Sequence, residues 1–138
     1  MLQTVINNKY MLAGWIGEGN IFYYAWKGFV PANEMKQMLE EVLSHLEAEK
    51  SSLMLQDLQQ AEAVTADIQE WMVASWLPRA AAVGLRKIAL LTPRSVFGQM
   101  AVNQVKNKAR ANNTTDIESM FFDDEAKAIQ WLRHSHTT

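Results

Sequence analysis

The sequence predicts an α/β fold: a single mixed sheet of five strands, opened by an antiparallel hairpin and continued by helix–strand units. Four observations predict it. Residues 88–91 are a short unbroken apolar run between turn signals, as expected of a strand covered on both faces. Gly84 before that run suits a helix end, because glycine alone takes a left-handed backbone without steric cost. Thr92 and Pro93 after it suit a helix start. Residues 10–16 and 21–27 are two further apolar runs, joined by Gly17-Glu18-Gly19-Asn20, and a gap that short argues for a hairpin.

The chain reads as one domain over residues 1–138, long enough to bury a core without staples. It has no Cys, so disulfides, thiolate metal sites and Cys nucleophiles are excluded. No apolar run approaches the roughly 20 residues that span a bilayer. Residues 1–10 interleave Gln3, Asn7, Asn8 and Lys9 with apolar side chains and lack a secretory apolar core. A cytoplasmic protein is the expectation. The net charge is −2, without the Lys and Arg excess of a nucleic-acid footprint.

The second strand is apolar on both faces. Phe22, Tyr24 and Trp26 point one way, and Ile21, Tyr23 and Ala25 the other. Three aromatics bury roughly 150–250 Å² each, so their face needs a cover. Either helices meet one face and a terminal segment the other, or Phe22, Tyr24 and Trp26 form a dimer or ligand surface. Gly14, Gly17 and Gly19 precede a strand and not a helix, so they make no dinucleotide-binding turn.

The clearest helix spans residues 31–50. Met35, Met38, Leu39, Val42 and Leu46 repeat with a 3.6-residue period, and acidic and polar residues fill the opposite face. Pro31 and Asn33 are rival start signals. His45 falls among the polar positions and reads as a solvated side chain. Ser51 and Ser52 break this helix, and residues 53–58 form the third strand. Asp57, near the carboxyl end of that strand, is either a pocket contact or a cap on the following loop.

Thr65 suits the cap of the next helix, with Asp67 in its first turn. That helix is apolar almost all round, through Ile68, Trp71, Met72, Val73, Trp76 and Leu77, until Pro78 should kink or split it. Trp71 and Trp76 lie about 140° apart around an α-helix and cannot share one face. One of them lines a groove or interface, or both tuck under loops. A further helix over residues 92–110 carries Val96, Phe97, Met100, Ala101 and Val105 as its apolar stripe. Lys106, Lys108 and Arg110 complement the dipole at its end. After a polar linker over residues 111–115, residues 116–122 read as the fifth strand, with Asp116 and Glu118 blunting a sheet edge. Asp123 caps a last helix that reaches Trp131, with Ala126, Ile129 and Trp131 facing in. His134-Ser135-His136 is a weak metal pattern at a terminus.

Four stretches carry a resemblance: residues 21–28 (IFYYAWKG), 71–79 (WMVASWLPR), 96–100 (VFGQM) and 121–126 (FFDDEA). Together they resemble a family of small, mostly uncharacterised bacterial proteins with a SpoIIAA-like (STAS) fold, over about residues 10–132. The resemblance implies βα units stepping in one direction across the sheet, with about four helices mainly on one face. Its better-known relatives, the anti-sigma-factor antagonists, carry a phosphorylatable Ser after the third strand. Here residues 58–65 read LQQAEAVT, and Thr65 is the single hydroxyl. The fold is also similar, more distantly, to lipid-carrying CRAL-TRIO domains.

No Gly-x-Ser-x-Gly elbow, His-Glu-x-x-His or phosphate-binding loop is present, and the three His fall in no ordered motif. The expectation is a non-enzymatic domain without catalytic residues, metal or cofactor. Two functions fit. The first is an interaction domain that forms a homodimer, or meets a protein partner, through Phe22, Tyr24 and Trp26 or through the tryptophan helix. The second is a small-molecule or lipid-binding protein, its apolar pocket walled by Asp57, Trp71, Trp76, Arg79 and Thr92. A phosphorylation switch would rest on Thr65.

Overall fold

Side chains alternate along a strand, so one sheet can bury two separate faces under two separate covers. The computed structural model describes residues 2–17, 20–62, 64–112 and 117–134. Its sheet has six strands in sequence order: β1 (Leu2–Asn7), β2 (Met11–Ile16), β3 (Ile21–Trp26), β4 (Leu53–Asp57), β5 (Lys87–Leu91) and β6 (Glu118–Phe122). β1, β2 and β3 pair antiparallel, and β3 to β6 pair parallel. The expected architecture holds, with one strand more than expected.

The added strand is β1. Only Ile6 of its six residues is buried, so an edge strand with one apolar anchor leaves almost no pattern in the sequence. It closes tightly on β2: a Cβ on Gly14 would collide with the Gln3 backbone. The turn between them is held by Asn8, whose Oδ1 accepts from the Tyr10 and Met11 amides at 2.8 and 2.9 Å.

Right-handed crossovers between strands that step one way put every connecting helix on one face. That face carries α1 (Ala32–Glu49), a composite rod and α4 (Val96–Asn112). The rod consists of α2 (Ala66–Trp71), a π-helical segment (Met72–Trp76) and α3 (Leu77–Ala82). α1 buries all five residues of the expected stripe and ends at Lys50, in the left-handed region at φ 53°. From Ala66 to Ala82 the backbone stays helical through Pro78. The turn before it widens to i→i+5 bonding, with the Leu77 amide donating to the Met72 carbonyl, which makes room for the proline ring.

α4 starts four residues later than expected. Ser95, not Thr92, supplies the hydroxyl that takes an orphan N–H, that of Gly98 at 3.2 Å. The outer face belongs to α5 (Glu125–His134), which follows the last strand and is free of the crossover rule. Ala128 and Leu132 of α5 pack with Ile21, Leu53, Leu55, Ala89 and Leu91. Helices on one face and a terminal segment on the other therefore cover β3. Phe22, Tyr24 and Trp26 are at most 4% exposed, and their proposed role as a surface interface is corrected: helices of the same chain already occupy that face.

The linker before β6 and the turn after β2 were expected at residues 111–115 and 17–20; α4 in fact runs on to Asn112. Asp116, the residues 18–19 and 113–115, and the Ser135-His136 part of the metal pattern lie outside the described residues.

Candidate functional site

Beneath α4 lies a cavity of about 550 Å³, within the ordinary range for small-molecule sites of roughly 300–1,000 Å³. Its floor is a single face of the sheet. Tyr24, Gln56, Leu90 and Phe121 stand at one register across β3, β4, β5 and β6, and Trp26, Ile88 and Ser119 flank that row. Trp76 and Met72 of the π segment form a wall. The roof is one stripe of α4, Gly98, Ala101, Val102, Val105 and Ala109, spaced three and four apart.

The space exists because α4 is tied to its neighbours and not to the sheet. Gly98 lets its first turn press on the loop after β4: a Cβ there would sit 2.6 Å from the Ala61 carbonyl oxygen. Further along, the Gln69 amide of α2 donates to Gln104 Oε1 at 2.6 Å and accepts from Lys108 Nζ at 3.1 Å. The helix is thus braced at both ends by the loop and α2, and the middle of the sheet lies uncovered below it.

Polar groups in the cavity are few. Tyr24 is 4% exposed, and its hydroxyl has no hydrogen-bond partner among the described residues. Burial pushes its pKa well above the usual phenol range, so it stays a neutral donor. Gln56 Nε2 donates only to Met54 Sδ at 3.4 Å, a weak bond, and its Oε1 accepts from no described residue. For a group as buried as the Tyr24 hydroxyl an unmade hydrogen bond costs about 1–3 kcal/mol. At the exposed margin, Glu62 lies on the loop and Lys106 and Arg110 lie one turn apart on α4. Lys106 Nζ stands over the Phe121 ring, 5.4 Å from its centroid.

Of the five residues expected around a pocket, the structure brings only Trp76 to this one. Its indole N–H donates to the Leu39 carbonyl at 2.7 Å and locks the ring in place. Trp71 turns outward, with Lys36 and Arg79 within 6 Å of its ring centroid. Arg79 also pairs with Glu40 at 2.7 Å, so both residues brace α1 against the rod. Asp57 belongs to the opposite face and is the loop cap: Oδ1 accepts from the Gln59 amide at 3.1 Å and Oδ2 from the Tyr23 hydroxyl at 2.9 Å. Thr92 hooks β5 to β6, its amide and hydroxyl both donating to the Phe122 carbonyl.

Thr65 occupies the N-cap position, but its hydroxyl donates to Asp67 and caps no amide. That bond holds the Asp67 carboxyl below the usual carboxylate range, and a phosphate at Thr65 would face this negative charge. His45 is half-buried, stacked on Phe22 with ring centroids 5.9 Å apart.

Sequence reasoning missed Gln56, Lys106 and Arg110 as cavity residues. A signal existed for each. Gln56 interrupts the apolar run of β4, and Lys106 and Arg110 fall on the stripe set by Gly98 and Val102. Val96, Phe97 and Met100, expected in the core, are instead 67%, 65% and 51% exposed.

A protein from Shewanella loihica PV-4, described as an uncharacterised member of the DUF3478 family with a SpoIIAA-like fold, has a similar structure. The TM-score is 0.60 at 18% identity, covering 93% of this chain and 98% of that one. No curated protein matches the sequence. The SpoIIAA-like family model matches residues 21–133, and on that match, which spans most of the sheet and every helix, the chain belongs to the SpoIIAA-like family.

Proposed function

We propose that this chain binds one small, largely apolar molecule beneath α4 and does not transform it. The cavity of about 550 Å³ carries the reading, because side chains otherwise pack to near-crystal density and leave few voids larger than a water. The lining offers aromatic and aliphatic walls and a few polar groups, with its carboxylate, Glu62, and its Lys106 ammonium at the exposed margin and not in the interior. Lys106 and Arg110 at the margin suit an anionic end on such a ligand.

Native mass spectrometry and tryptophan fluorescence with decanol and decanoate test this, since Trp26 and Trp76 report from the lining. A one-to-one complex is expected, abolished by Ala101→Leu, which fills the space under α4. Binding of neither probe, or binding unchanged by the filled variant, would remove the proposal.

Self-association has a separate basis in Val96, Phe97 and Met100, an exposed apolar turn of α4. Light scattering at micromolar concentration should then show a dimer that Phe97→Glu dissociates; a monomer throughout rules it out.

A further inference from the structure

Two adjacent polar groups of the cavity floor narrow the class of ligand, on the footing that the cavity binds one at all. Tyr24 and Gln56 sit at the same register on adjacent strands, where neighbouring backbones are only about 4.8 Å apart. Both side chains line the cavity. Nearby buried polar groups are paired: Trp76 with the Leu39 carbonyl, Gln69 with the Val64 carbonyl, Ser51 with the Asn20 and Leu53 carbonyls. Trp15, outside the cavity, has no such bond among the described residues, but meets the Phe22 ring edge-on at 5.0 Å.

Tyr24 is 4% exposed, and its hydroxyl has no hydrogen-bond partner among the described residues. Trp26, two residues on and on the same face, lines the cavity and meets the Tyr24 ring edge-on at 5.5 Å, as Trp15 meets Phe22. The interior therefore presents a donor without an acceptor on Tyr24, beside a Gln56 amide oxygen that accepts from no described residue. A phenylalanine at position 24 would fill the same space with no polar group to satisfy.

The missing acceptor is uncharged. The cations that line the cavity, Lys106 and Arg110, are on α4, and Lys106 stands over Phe121. Phe121 is three strands from Tyr24 along the row, roughly 14 Å at ordinary strand spacing. A carboxylate held at Tyr24 would be buried without a countercharge. We infer that the ligand carries a neutral oxygen function, an alcohol or a carbonyl, seated on Tyr24 and Gln56 with its apolar body along the sheet. An alcohol would accept from Tyr24 and donate to Gln56 Oε1; a carbonyl would accept from Tyr24 and from the Gln56 amide.

The experiment compares decane, decanol, decanal and decanoate on the intact chain, by native mass spectrometry and tryptophan fluorescence. Wild type should bind decanol or decanal about tenfold more tightly than decane. Tyr24→Phe should erase that preference, read as the ratio of decanol to decane affinity, and Gln56→Leu should reduce it; the two variants guard against a folding defect in either one. If decane and the oxygenated probes bind alike, or Tyr24→Phe weakens all probes equally, the inference is overturned while apolar binding stands. If decanoate binds best and depends on Tyr24, the uncharged class is wrong. If no probe binds, the underlying proposal fails with it.

Discussion

The two faces of the sheet are built from the same strands and end in opposite states. Consecutive residues of β3 show it best. Tyr23 turns to the α5 side and gives its hydroxyl to Asp57 at 2.9 Å. Tyr24 turns to the α4 side, more deeply buried, and gives its hydroxyl to no described group. On the first face a short terminal helix lies directly on the strands, and Ala128 and Leu132 are fully buried there. On the second, α4 is held away from the strands by α2 and the loop after β4, and a cavity remains. Hydrophobic burial alone does not separate the two faces. What separates them is whether the covering helix is seated on the sheet or suspended over it.

Leucine truncation gives the widest contrast. Leu55 is fully buried under α5, and Leu90 is a half-buried residue at the cavity floor. Leu55→Ala should destabilise by about 2–5 kcal/mol, the range for opening a new void in a packed core. Leu90→Ala enlarges a space that already exists and should cost about 1 kcal/mol. Chemical denaturation of both variants measures the difference. Equal losses would mean that the α4 face is as tightly packed as the other.

The paired tyrosines sharpen the same point at a smaller scale. Tyr23→Phe removes a hydrogen bond to a carboxylate that also anchors the loop after β4, and should cost about 1–2 kcal/mol. Tyr24→Phe removes an unsatisfied hydroxyl, so without ligand its stability should be unchanged or raised by about 1 kcal/mol. A loss at Tyr24 as large as that at Tyr23 would show that the Tyr24 hydroxyl is satisfied in solution.

These contrasts also explain what the sequence could convey. Local periodicity was enough for α1, whose five stripe residues are all buried, and for the β2–β3 hairpin, because one element carries the whole pattern. The family resemblance rested instead on four short motifs spread along the chain. It failed for β1, where a single buried side chain leaves no period, and for α4, where Val96, Phe97 and Met100 share helical spacing but face outward. The cavity was least legible. Tyr24, Gln56, Leu90 and Phe121 are brought into one row only by the register of four strands far apart in the chain. The candidates chosen near strand ends, Asp57 and Thr92, instead serve the loops and edges that position those strands.

The smallest expected effect lies in the alkaline titration of the two phenols. Burial raises both above the usual value of about 10. For Tyr24 burial acts alone; for Tyr23 it is joined by the bond to Asp57 and the negative charges of Asp57 and Glu125. A group whose folded value is raised contributes stability that is complete below its unfolded value and is lost as pH climbs toward the folded one. Both tyrosines therefore predict a protein that weakens above about pH 10. Asp57→Asn removes the charge from one face only. Tyr23 should then ionise at lower pH, and Tyr24 should not move, as followed by NMR of the phenol ring carbons. A shift of both would mean that ionisation on one face opens the other, and the two halves of the sheet would have to be treated as one cooperative layer.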